Sequence, residues 1–133
     1  MFIKMCSNEN GFNIENGVLV KFDPEEYEGT LDDLLVPEGV TEIGKEAFLI
    51  NPDDDFAGVP YLSKVTLPST CTILRQAAFY GCQDLTEVKC LAKLELLEIG
   101  VFSDCNKLEF CVGVPKNQDY IPEHLYDRCG MLM

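Results

Sequence analysis

The 133-residue chain has one histidine, His124, and no pair of cysteines at CxxC spacing. It also lacks an apolar run of about 18 residues. Each shortage removes a class of function. With a single histidine and scattered cysteines the usual donor sets for zinc are missing, so no metal site is expected. Acyl-transfer chemistry needs a nucleophile beside a base, and His124 alone makes thin material for it, so no catalytic residue is assigned. There is no Walker or dinucleotide glycine pattern, and no cofactor is implied. No membrane span is available. The opening MFIKMCSNEN lacks the apolar centre of a signal peptide. A cytoplasmic protein is expected if this is the full chain, and a cell-surface or secreted one if an N-terminal segment has been trimmed.

Cations are scarce as well: 10 Lys and Arg stand against 23 Asp and Glu, a net charge of −13. Phosphate backbones are neutralised by Lys and Arg, so a nucleic-acid partner is not expected. The imbalance is lopsided. Residues 1–60 carry 3 Lys and 14 acids, whereas residues 61–133 carry 7 cations and 9 acids. Such charge commonly serves solubility, and it also suits a basic partner at the N-terminal end. The acids of Asn51-Pro52-Asp53-Asp54-Asp55 resemble a calcium loop, but Leu62 stands where the closing Glu is required.

What is present is a repeat. Leu62, Leu85 and Leu108 fall 23 residues apart, as do Val65, Val88 and Cys111, and so do Phe79 and Phe102. Each of those two Phe is followed three residues later by Cys82 or Cys105, and a worn fourth copy supplies Tyr126, Cys129 and Leu132. An earlier copy gives Leu31, Leu34, Val36, Pro37, Ile43, Ala47 and Phe48, but Phe48 and Phe79 are 31 apart. The excess of eight residues is assigned to the polar stretch INPDDDFAGVPY. Periods of about 20 to 29 residues with an LxxLxL core indicate leucine-rich repeats, whose coils stack and carry one short strand each.

Residues 12–22, FNIENGVLVKF, read as a β-hairpin, because Asn16-Gly17 accepts positive φ at both turn positions. Placed before the first coil, it would cover the open end of the stack. Pro37 and Pro68 are expected to end the strands, since proline has no N–H to donate. The following segments mix Ile, Ala and Phe in a way suited to a helical or 3₁₀ turn. Phe48, Phe79 and Phe102 should stack inside. The seven cysteines follow the repeat spacing and read as buried free thiols, with a disulfide ladder as the alternative. The expected fold is thus an α/β leucine-rich repeat solenoid of about four 23-residue coils. Short strands would form one face and helical turns the other, with residues 1–30 as leader and hairpin cap and residues 31–133 as repeats.

VPEGVTEIGKEAF, LPSTCTILRQAAFYGC and LEIGVFSDC resemble the BspA-like leucine-rich repeat family, whose pattern is roughly LxxIxLPxxVxxIgxxAFxxC. The likeness covers about residues 31–132, and the NGVL hairpin is similar to the leader before such repeats. LEIGVF reads as a shortened copy with compensating residues before it. The resemblance implies recognition of other molecules, often by surface-exposed adhesion proteins of bacteria or protists, and no catalytic activity.

Within LxxLxL, the residues flanking the second apolar position point out of the strand layer. That gives two outward columns: Asp33, Lys64, Glu87 and Phe110, then Leu35, Thr66, Lys89 and Val112. Lys64 and Glu87 read as a cross-strand pair. Phe110 and Val112 are apolar where water is expected, unless the last coil is distorted and Phe110 turns inward. Four strands of about five residues give a face of roughly 300 Å², against about 800 Å² per partner in a standard interface. A protein partner would therefore need loops such as Asn51–Pro60 as well. The alternative is a structural unit that assembles with itself end to end through Tyr126, Leu132 and their neighbours.

Overall fold

The computed structural model describes residues 6–51 and 57–112. Their strands are short. In chain order they are β1 (Cys6–Glu9), β2 (Phe12–Glu15), β3 (Val18–Phe22), β4 (Leu34–Leu35), β5 (Glu42–Ile43) and β6 (Leu49–Asn51). After them come β7 (Ala57–Gly58), β8 (Lys64–Leu67), β9 (Ile73–Leu74), β10 (Glu87–Cys90), β11 (Leu96–Leu97) and β12 (Phe110–Val112).

Two sheets stack the coils. A four-stranded parallel sheet runs β12-β10-β8-β4, and a six-stranded sheet runs β1-β2-β3-β5-β9-β11. Each coil therefore contributes two strands, where the spacing alone suggests one. The second is only two residues long, too short to display the alternation by which a strand is recognised. Register holds at 23 residues between the later coils: Val88 pairs with Val65, and Leu97 with Leu74. LEIGVF is consequently a full-length copy and nothing in it is shortened.

No helix forms among the described residues, and the expected helical turns are replaced by a third backbone ladder. Successive N–H groups after β9 alternate between two kinds of acceptor. Ala77, Phe79 and Gly81 donate to the next coil, at Ile99, Val101 and Ser103. Ala78, Tyr80 and Cys82 instead donate three residues back, to Arg75, Ala77 and Phe79. A helix needs all these donors for itself. Ala77 and Gly81 also have positive φ, at 56° and 73°, which a right-handed helix cannot hold. Glu46 and Gly100 repeat the Ala77 geometry in their own coils, at 55° and 73°.

The core is a set of columns. Phe22, Phe48, Phe79 and Phe102 are fully buried. Their ring centroids follow one another at 5.4, 4.7 and 5.8 Å, and the last two steps are near-parallel stacks. Phe22 belongs to the cap, so the spine extends beyond the repeats themselves. Beside it run Ile43, Leu74 and Leu97, and Leu34, Val65 and Val88, all buried.

The hairpin forms as expected, with Asn16 and Gly17 at φ 51° and 82°. A second turn of the same chemistry, Asn10-Gly11 at φ 51° and 88°, adds β1 in front of it. The dipeptide signal was legible there too. Parallel pairing of β3 with β5 joins this antiparallel unit to the first coil. Phe12, Phe22 and Tyr27 close the end of the core with mutual ring contacts of 5.0 to 5.9 Å.

The inserted stretch leaves the stack undisturbed because it closes on itself. β6 and β7 pair antiparallel, and Val59 N–H donates to Phe48 C=O at 3.0 Å. Val59 thereby returns the chain to the column held by Cys82 and Cys105 in the later coils, and all three are fully buried. The eight extra residues lie between Phe48 and Val59. Gly58 is the tight point. A Cβ there would meet Cys82 N at 2.6 Å and Gly81 C at 2.7 Å, both backbone atoms that cannot yield.

Phe79→Ala should remove the central ring of the spine and cost about 3–5 kcal/mol in urea-denaturation measurements. A loss below about 1 kcal/mol would show that the rings do not carry the stack. Gly58→Ala should lower the melting temperature through backbone displacement, although the residue added is small. An unchanged melting curve would mean that the insertion is not seated against the second coil.

Candidate functional site

The outward face of the four-stranded sheet carries both expected columns in register. Lys64 pairs with Glu87 and Glu87 with Phe110, while Leu35 pairs with Thr66, Thr66 with Lys89 and Lys89 with Val112. Asp33, directly before β4, stands exposed at the head of the first column. Lys64 Nζ lies 3.7 Å from Glu87 Oε2, the cross-strand pair anticipated from the sequence. Both side chains are about one-third exposed, a setting in which such a pair contributes roughly 0–1 kcal/mol. Leu35 is 61% exposed, Thr66 is half-buried and Lys89 is exposed. The backbone places Phe110 and Val112 at their column positions, and their side chains lie outside the description. Tyr126 and Leu132, the expected self-association residues, lie outside the described residues, as does His124.

Two exposed apolar residues flank the face and were not singled out from the sequence. Leu91 is 52% exposed just after β10, in the repeat position held by Pro68 in the preceding coil. Tyr61 is 78% exposed just ahead of β8, at a positive φ of 65°. Its backbone N–H donates to Asp84 Oδ2 at 2.9 Å, and Lys107 Nζ donates to Asp84 Oδ1 at 3.2 Å. These three residues are 23 apart in sequence, so a polar rung crosses three coils at the leading corner of the sheet. The Tyr61 N–H first, and then Lys107, hold the Asp84 carboxyl below its ordinary value of 3.8.

The other sheet presents an ion cluster. Arg75 Nε donates to Glu42 Oε1 at 2.6 Å, and Nη1 lies 3.4 Å from Glu98 Oε2. Glu98 Oε1 also accepts the Gln76 backbone N–H at 3.0 Å. The hydrogen bond with Glu42 is the main reason that the guanidinium is held even more firmly protonated than usual. These contacts run between neighbouring coils, which marks the cluster as a brace between them.

The four thiols described are buried within the coils. Cys71, Cys82, Cys90 and Cys105 are free and buried. Burial pushes Cys71 up to about 11, and Cys82 and Cys90 to about 12, so all three stay protonated and poorly nucleophilic near neutral pH. Cys82 Sγ faces Phe48 C=O at 3.9 Å, and Cys105 Sγ faces Phe79 C=O at 3.1 Å. Each thiol thus fills the same niche one coil along. Among the described residues no group of three or more His, Cys, Asp or Glu could hold a metal ion. No helix there is long and apolar enough to cross a membrane.

Stacked parallel coils joined by continuous ladders, with an aliphatic and aromatic core in columns, define a leucine-rich repeat fold. The profile of the BspA type leucine rich repeat region matches residues 50–133, well over half of the chain. The chain belongs to this family. The first coil, with β4 and β5, lies upstream of the matched residues yet stacks on them in register. The crystal structure of a leucine-rich repeat protein from Bacteroides capillosus is similar, with a TM-score of 0.69 and 20% identity. The alignment covers 96% of this chain and 94% of that one. At that identity the likeness speaks for the fold. A comparison with curated proteins gives no significant match.

The lowered Asp84 value sets a direction for pH dependence. Its folded state favours the carboxylate, so the stabilisation is present above the ordinary value of 3.8 and fades as pH falls through the lower folded one. Asp84→Asn should therefore melt below wild type at about pH 6, with the gap narrowing as pH falls below 3.8. Equal melting temperatures throughout that range would show that the rung contributes nothing.

Proposed function

We propose that this chain is a non-catalytic module that recognises a protein through the outward face of its four-stranded sheet. The carrying observation is the register of the two outward columns. Asp33, Lys64, Glu87 and Phe110 stand beside Leu35, Thr66, Lys89 and Val112, an array of acids, cations and apolar positions on one ladder. Parallel strands set neighbouring side chains about 4.8 Å apart, a fixed spacing that a partner surface can match. Membership of a leucine-rich repeat family supports an interaction role of this general kind.

Size decides what else takes part. A face of roughly 300 Å² falls short of the approximately 800 Å² that each partner in a standard complex buries. Tyr61 and Leu91 extend it at two corners, and exposed aromatic and aliphatic groups supply the desolvation energy that Lys and Glu columns lack. The partner is accordingly a folded protein that straddles the sheet and its corners.

Affinity capture with the immobilised chain would test this. A captured protein should be lost at least tenfold with the double variant Thr66→Arg and Lys89→Glu, and retained with Arg75→Ala on the other sheet. Equal capture by all three proteins, each shown to melt cooperatively, would sink the reading.

A further inference from the structure

The cap closes only one of the two sheets. β3 pairs with β5, so the hairpin extends the six-stranded sheet, while among the described residues β4 is the terminal strand of the four-stranded sheet, with β8 as its one neighbour. The chain crosses between them through residues 23–33, where Tyr27 packs on Phe12 and Phe22. That crossing buries the apolar end of the core without supplying a strand. Val36 N–H donates to Thr66 C=O at 3.0 Å, which fixes the side that β4 turns to β8. Because N–H and C=O groups alternate sides along a strand, Leu35 directs both of its own away from β8. No described strand lies there. The Leu35 side chain beside this open edge is 61% exposed.

The segment that carries the edge has charge of one sign, and the cation next to it in register, Lys64 on β8, is engaged by Glu87. Between Lys21 and Lys45 the sequence has eight acids and no Lys, Arg or His. Glu28, Asp32, Asp33 and Glu38 of this stretch are exposed, and no described ion pair involves them. Glu42, by contrast, is matched by Arg75. We propose that the open edge of β4 accepts an extended basic segment of another protein as an added strand of the four-stranded sheet. The Leu35 amide and carbonyl bond its backbone, and Asp32, Asp33 and their neighbours face its cations.

Strand addition to an exposed edge takes affinity from main-chain bonds and specificity from alternate side chains. An acidic border selects cations at the outward positions and speeds their approach. A second copy is the poorer occupant, since it brings a net charge of −13 to an edge already rich in acids. This surface lies at the N-terminal rim of the sheet, shares Asp33 and Leu35 with the head of the two columns, and is distinguished from the rest of the face by variants at Thr66 and Lys89.

The test uses the whole chain and a fluorescein-labelled peptide, (Lys-Val)4, followed by fluorescence anisotropy. Binding should appear with (Lys-Val)4, weaken with added salt, and be absent with (Glu-Val)4. The same basic peptide methylated at every amide nitrogen should bind at least tenfold more weakly, because it keeps the charge and loses the strand bonds. Leu35→Pro should match that loss, Asp33→Lys should weaken binding severalfold, and Lys89→Glu should not weaken it. Hydrogen exchange of the Leu35 amide in the unaltered chain, slowed at least tenfold by saturating peptide, is a readout that stands even if Leu35→Pro fails to fold. Equal binding of the methylated peptide would reduce the effect to plain charge attraction and overturn the proposal. So would an unprotected Leu35 amide, or light scattering that shows a dimer broken by Asp33→Lys. Loss of a captured protein with Thr66→Arg and Lys89→Glu, while peptide binding persists, would separate this edge from the face proposed above.

Discussion

A coil in this protein cannot satisfy its own backbone. Its strands are two to four residues long, and the donors of its outer turn alternate between a local carbonyl and the carbonyl of the next coil. Buried amides must find partners, so each coil is completed only by its neighbour in matching register. Everything else in the core follows from that condition. Once the ladders hold coil on coil, equivalent residues superimpose, and Phe falls on Phe, Ile or Leu on Leu, and thiol on valine. The columns result from the ladders as much as they stabilise them.

The same condition explains the parts of the sequence that break the period. An insertion is tolerated only if its two ends meet where the register left off. β6 and β7 do this by pairing with each other, and Val59 restores the column three residues before Leu62. Closing a loop of this size costs little entropy, whereas shifting the register of one coil would misplace every later ladder bond. The close approach of Gly58 to the Tyr80–Cys82 turn gives the insertion one fixed seat on the second coil.

Much of this was legible in the sequence because the period makes single residues redundant. Three copies of a Leu, Val and Phe skeleton identify the coil, its buried positions and, through strand alternation, both outward columns of the four-stranded sheet. The second strand of each coil was hidden because Ile73-Leu74 and its equivalents are too short to alternate. The helical expectation failed for a related reason. QAAF has good helix formers, yet Ala77 sits at positive φ and every other N–H is committed to the next coil. Local propensity is a weak prior when a ladder claims the same donors. Asn10-Gly11 was readable by the rule that identified Asn16-Gly17, but β1 has no apolar alternation to draw attention to it.

The edge at β4 could not be read at all, because it depends on which sheet the cap joins. A hairpin before the first coil could pair with β4 or with β5, and the sequence of residues 12–22 suits either. The backbone chose β5, through Leu19 opposite Ile43. This choice puts a buried Leu19 at the end of the Ile43, Leu74 and Leu97 column and leaves the Leu35 amide and carbonyl without a strand partner among the described residues. An exposed strand edge ordinarily invites unwanted pairing, and proteins guard such edges with charge. Here the guard supplied by the edge's own segment, between Lys21 and Lys45, is acidic. Like-charged copies and neutral strands gain nothing from such a border, whereas a basic segment is drawn to it, so protection against the wrong strand and selection of the right one arise from the same carboxylates.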